Sequence, residues 1–142
     1  MRKLVRAIVG LVALVESAAF FLGAGLHLGI PLPVPFIETH YLPSAVLEAA
    51  TGVLLLIAAI AVVAHRRRAW KIAVAAHVAG VASIAFGIAA RGGGAAAQSG
   101  HHQTMLLVLI LVLAVLSTPL CRHALETGRH HSRRRRRILQ AF

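Results

Sequence analysis

Four apolar stretches are strung along a chain of only 142 residues, at about residues 4–30, 44–64, 69–90 and 104–120. A bilayer core of ~30 Å takes about 20 apolar residues of helix to cross. Only a helix or a closed barrel satisfies its backbone hydrogen bonds away from water. The expected fold class is therefore all-α: a four-helix transmembrane bundle, up-down-up-down, with both termini on one side. Composition agrees, at 58% hydrophobic and 13% charged residues with a mean hydropathy of +0.80. A soluble domain of this size lacks the polar surface to cover so much apolar material. The expected plan is one membrane domain over residues 1–120 and a basic tail over residues 121–142.

The breaks between spans have local causes. Pro31, Pro33, Pro35 and Pro43 each lack an N–H and clash with a preceding helical turn, so an extended loop holding Glu38, His40 and Tyr41 is expected there. Ser44 reads as the N-cap of the second span. His65, Arg66, Arg67, Arg68 and Lys71 form a short basic loop, with Trp70 as an interface anchor. Residues 91–100, RGGGAAAQSG, have linker composition. Pro119 closes the fourth span. Ser17-Ala18-Ala19 offers a signal-peptidase pattern, but Phe20, Phe21 and Leu22 carry the apolar run past it, which favours an uncleaved span. Gly25 and Gly29, Ala76 and Gly80, and Ser83 and Gly87 are small residues four apart, a spacing that lets helices approach closely.

The net charge of +11 would suggest nucleic acid on a soluble protein. Here 14 of the 15 Lys and Arg residues fall on one side of a four-span plan, and only Arg91 falls on the other. That asymmetry is a topology signal, placing both termini in the cytoplasm of a bacterial plasma-membrane protein. Aromatics are few, at 5%, and make no series along the basic stretches, so no nucleic-acid partner is expected. The bilayer is the expected partner, together with anionic headgroups that meet Arg133, Arg134, Arg135, Arg136 and Arg137. The single cysteine, Cys121, excludes an intrachain disulfide and a cysteine metal pair.

The chemistry-bearing residues are few. There is no aspartate, and two of the four glutamates, Glu16 and Glu48, lie inside apolar spans. Glu16 and His27 are eleven residues apart, which returns to within ~20° of one helical face. Phe20 and Gly23 lie between them on that face. Ionisable groups on a membrane helix face protein or water, because lipid exposure is costly. At ~1.5 Å per residue, Glu16 falls near mid-membrane and His77 ~9 Å from the cytoplasmic interface, while His27 and Glu48 lie close to the outer surface with His101 or His102. These groups form an expected polar site of Glu16, His27, Glu48, His77 and His102 in two tiers. Carboxylate and imidazole ligands suit a divalent transition metal, and the same groups could relay protons or guide a cation inward. Plainer roles are a helix-dipole partner for Glu48, interfacial water for His27, and a bond from His77 to Ser83 or a backbone carbonyl. No catalytic residues are assigned. No nucleophile stands beside a His and an acid, and no glycine-rich phosphate loop is present.

The segments ESAAFFLGAGLHLGIPLP, LEAATG, AAHVAG and HHQTML resemble uncharacterised small four-span integral membrane proteins of high-GC actinobacteria. The size and span plan are also similar to DoxX-type membrane proteins. The first resemblance brings no established activity, so the function read from the residues is a metal- or proton-handling site opening to the outer face. The alternatives are a non-catalytic accessory subunit of a membrane complex or a homo-oligomer, and a b-type haem protein using His27 with His101 or His102. The arginine tail generates its own expectation. Replacing Arg133 to Arg137 by Gln should leave the melting temperature in detergent little changed. It should weaken sedimentation with anionic vesicles, at about 1 kcal/mol per charge near the surface, and the difference should shrink as salt screens it. Undiminished binding to neutral vesicles at high salt would contradict the electrostatic account.

Overall fold

The computed structural model describes residues 1–31, 40–90 and 100–126. Glu38 and Arg133, Arg134, Arg135, Arg136 and Arg137 lie outside the described residues, as does the linker over 91–99. Five helices follow in order: α1 (Arg2–His27), α2 (Leu42–Val63), α3 (Ala69–Ala90), α4 (Gly100–Leu116) and α5 (Pro119–Glu126). No strand occurs among the described residues. α1, α2 and α3 are each long and apolar enough to cross a membrane, and α4 reaches that standard only together with α5, across a bend of 73°. The protein therefore has three candidate spans, or four if the bent pair is one span.

The bend corrects the expected tail. The Ser117 and Thr118 hydroxyls donate back to Leu113 O (2.8 Å) and Val115 O (2.7 Å), an arrangement that competes with continued helix. Pro119 has no N–H to extend the ladder but is well suited to the first position of a new helix. Thr118 Oγ1 then accepts from Cys121 N at 3.4 Å, the position an N-cap side chain serves. Residues 121–126 are thus helix, with Cys121, Ala124 and Leu125 buried. α5 is pinned to α1 by Arg6 Nε, which donates to Ala124 O at 2.8 Å. Trp70 Nε1 donates to Leu116 O at 2.9 Å, and the Arg122 guanidinium lies 4.8 Å over the Trp70 ring.

Two further boundaries differ from the sequence expectation. α2 begins at Leu42 with Tyr41 at the N-cap position and no capping side chain, so Ser44 lies inside the helix. Pro43 is accommodated because the first-turn N–H groups have no intrahelical acceptor to lose. Gly29 is not a helix-packing residue. It follows α1 with φ +78°, its N–H donates to Leu26 O (2.9 Å), and Ile30 N–H donates to Gly25 O (3.0 Å). That pair of bonds is a Schellman closure, which requires a left-handed residue just past the helix.

Packing runs in series, α1 on α2, α2 on α3 and α3 on α4. The interior is built from small residues: Ala13, Ala58, Ala59, Ala61, Ala69, Ala73 and Ala76 are buried, while Leu11, Leu14, Val53, Ile57, Leu107 and Leu111 point outward. This is the arrangement expected where lipid removes the hydrophobic drive between helices, leaving close backbone contact and interhelical hydrogen bonds as the attraction. Ser17 Oγ supplies one such bond, to Gly52 O at 2.8 Å. At the other end of α1, Tyr41 N–H donates to His27 O at 3.2 Å, which ties the end of α1 to the start of α2.

The Gly29 closure is testable. A Cβ there would collide with the His40 ring and would sit on a left-handed residue, at about 1–2 kcal/mol for the backbone alone. Gly29→Ala should lower the melting temperature in detergent, whereas Gly25→Ala, inside the helix, should lower it much less.

Candidate functional site

Three helix ends meet at one polar cluster. His27 is the last residue of α1, Glu48 lies in the second turn of α2, and His102 lies in the first turn of α4. All three are buried, at 2%, 5% and 6% exposure. His27 Nε2 is 3.4 Å and His102 Nε2 is 3.6 Å from the same oxygen, Glu48 Oε1. One ligand atom from each residue lies within 4.8 Å of the other two. Both contacts to Glu48 are longer than the 2.7–3.2 Å of a well-formed N–H···O bond. They match the spacing of about 3.4 Å that ligands take around a tetrahedral zinc-class ion with bonds of about 2.0–2.2 Å. A cavity of about 10 Å³ borders Glu48 and His102, beside Ser83 and Gly87, on the scale of a single water.

Gly23 makes the cluster possible. A Cβ at this position of α1 would collide with Glu48 Oε2, so the absent side chain is what lets the carboxylate settle between α1 and α4. Its position on the Glu16–His27 face was visible in the periodicity, but its part in the site depends on α2 and was not. Since α2 starts at Leu42, Glu48 lies beyond the first turn, where a helix-dipole role fades. The space between the two imidazoles, whose centroids are 6.0 Å apart and tilted by 38°, is shared with the Glu48 carboxylate. A haem ligated by both rings would have to lie there.

A second, deeper pair is separate from the first. His77, fully buried on α3, has Nδ1 2.8 Å from Ala73 O and Nε2 2.9 Å from Glu16 Oε2. Ala73 O can only accept, so Nδ1 carries a proton. One further proton must then lie between Nε2 and Oε2. On Glu16 it makes a neutral acid facing a neutral imidazole, and on His77 it makes a carboxylate facing an imidazolium. The pair has zero net charge either way. Among the described residues, Glu16 Oε1 and Glu48 Oε2 are the buried side-chain oxygens with no hydrogen-bond partner.

The five expected site residues thus fall into an outer triad and an inner pair. Phe20, 1% exposed, lies between the two groups on the face of α1. His40 packs against Gly29, outside both groups. His101 belongs to α4, but its side chain lies outside the described residues. His65, expected as solvated surface, is exposed but meets Arg6 through its Nδ1. Comparison with protein-family models, with curated proteins and with solved structures gives no match.

The proton assignment separates two substitutions. Glu16→Gln replaces the shared proton by an amide N–H that donates to His77 Nε2, and should change stability by less than about 1 kcal/mol. His77→Ala leaves Glu16 buried without its partner and should cost more, about 1–3 kcal/mol where the acid is neutral and about 3–5 kcal/mol where it is charged. Unfolding titrations in mixed micelles measure both. Equal losses would contradict the one-proton pair.

Proposed function

We propose that this chain is a multi-pass plasma-membrane protein that binds a divalent transition metal of the zinc class at His27, Glu48 and His102. The observation that carries this reading is the ligand geometry. Two imidazole nitrogens lie 3.4 and 3.6 Å from one buried carboxylate oxygen, with one ligand atom of each residue within 4.8 Å of the others. Two histidines and a carboxylate are a donor set that suits zinc with an open fourth position. Borderline ligands of this kind also accept Mn, Fe or Cu(II), so availability and geometry would set the occupant. The asymmetry of basic residues supports both termini in the cytoplasm, and the metal site then faces the outer side of the membrane.

A proton-handling role for Glu16 and His77 is the second reading, favoured by their shared proton. It is distinguishable from the first because the two groups have no residue in common. Elemental analysis of detergent-purified protein after zinc loading and desalting should find about one equivalent of metal. Glu48→Gln, His27→Ala and His102→Ala should each cut metal affinity by at least tenfold. Glu16→Gln should leave it within about twofold. Saturating zinc should raise the melting temperature of the unaltered protein, since binding the folded state at 100 times Kd stabilises it by about 2.7 kcal/mol. Absence of saturable metal, or equal loss in Glu16→Gln and Glu48→Gln, would defeat the assignment and favour an accessory subunit.

A further inference from the structure

A cleft of about 660 Å³ runs between α1 and α2, at the end of the bundle that holds the N-terminus. Gly10 and Ala59 are its buried floor, while Leu11, Leu14 and Ile60 are exposed along its sides. Small residues where the two helices touch thus leave a groove that opens outward, where a membrane helix meets lipid. Its lining on α1 extends from Lys3 to Leu14. Those eleven residues are ~16 Å of helix rise, the depth of one leaflet of a ~30 Å hydrocarbon core. Lys3, Arg6 and His65 stand at its mouth.

We propose that this cleft binds an anionic phospholipid, its phosphate held by Lys3, Arg6 and His65 and one acyl chain laid along the groove. The donors decide the headgroup. Arg6 donates through Nε to Ala124 O at 2.8 Å and through Nη1 to His65 Nδ1. With Nδ1 accepting, the ring proton of His65 is on Nε2. The Lys3 ammonium, the Arg6 guanidinium and His65 Nε2–H can then only donate, so the ligand must accept. The ion pairs among the described residues use Glu16, Glu48 and Glu126, and none reaches Lys3 or Arg6. A phosphate at the head of an acyl chain supplies the negative charge from the membrane itself.

The backbone of His65 gives an independent reason. His65 N–H donates to Val62 O (3.2 Å) and Arg66 N–H donates to Ala61 O (2.9 Å), the same closure that Gly29 makes after α1. His65 holds φ +53°, a left-handed backbone that costs histidine more than glycine. Its ring, set against Arg6 at the cleft mouth, accounts for the residue where the backbone does not. Across α2 a second cleft shares Ile60 and is lined by Arg66, Arg67 and Arg68, so the positive rim continues around the end of that helix.

The test is native mass spectrometry of the full-length protein, titrated in detergent with dioleoyl phosphatidylglycerol or dioleoyl phosphatidylcholine. The two lipids share their chains and differ in net charge. Phosphatidylglycerol should fill one saturable site at least about tenfold tighter than phosphatidylcholine. Every variant keeps the arginine tail, so differences among them report the cleft. Lys3→Gln should weaken phosphatidylglycerol about fivefold. Lys71→Gln, which removes the same charge from an exposed position outside the cleft, should change it by less than about twofold. His65→Gly should weaken it at least about threefold without lowering the melting temperature, because glycine suits the left-handed position. Leu11→Trp, which fills the groove from its exposed side and keeps all three donors, should bring phosphatidylglycerol down to the level of phosphatidylcholine. These outcomes do not depend on metal at the triad. Equal binding of the two lipids, equal effects of Lys3→Gln and Lys71→Gln, or a His65→Gly variant that loses stability but no affinity would overturn the proposal. Undiminished binding in Leu11→Trp would do the same, since it would mark a bare phosphate site without a chain. So would a dimer that Leu11→Trp disrupts, since a second copy would then fill the groove.

Discussion

The protein depends on satisfying five ionisable side chains, Glu16, His27, Glu48, His77 and His102, inside an apolar bundle rich in alanine. Each would be expensive if left alone: an unpaired buried charge costs several kcal/mol, and an unpaired buried polar group costs about 1–3 kcal/mol. The solution is pairing across helices that are not neighbours in packing. His77 on α3 reaches Glu16 on α1, and His102 on α4 reaches Glu48 on α2. Long side chains thereby connect elements that are not the main packing partners, beside the apolar cluster that Phe20, Leu55 and Leu109 share.

A gap of about 280 Å³ lies between α1 and α4. Tight helix contact in a membrane follows from small residues on both faces, and α1 and α2 provide them to each other, Gly10 of α1 approaching Val63 and Gly52 of α2 approaching Phe21. Toward α4 there is no matching small stripe. Met105 and Val108 on α4 and Val15 and Phe20 on α1 line the two sides of the gap and make its walls apolar.

Much of this was legible in the sequence, for reasons that can be named. The long apolar runs identify the helices, and the return of helical phase after eleven residues puts Glu16 and His27 on one face. The rise per residue sorts the polar groups into two depths. What the sequence left open lies in terms that periodicity does not carry. The Thr118–Pro119 start of α5 is a capping signal, but it is hidden beside an arginine-rich segment that reads as tail. Gly29 fits a GxxxG spacing and equally fits a helix stop, and only its positive φ decides. Gly23 looks like any small residue on a packed helix until Glu48 is seen to occupy the space of its missing side chain. The unpaired Glu16 oxygen is a property of four helices together, and no one-dimensional pattern reports it.

The spacing of the two tiers along α1 bears on whether they form a path. Eleven residues correspond to about 16 Å of helix rise, several hydrogen bonds' worth of distance. On the connecting face stand Phe20, which is closed off at 1% exposure, and Gly23, which has no side chain. The buried hydroxyls nearby are already committed: Ser17 donates to Gly52 O at 2.8 Å, and Thr51 donates to Leu47 O at 2.9 Å. A proton relay needs groups that can both accept and donate in turn, and a metal ion needs new ligands at each step. The Ser17 and Thr51 hydroxyls can each still accept a hydrogen bond while donating, and the buried Phe20 ring stands between the triad and the pair on the face of α1.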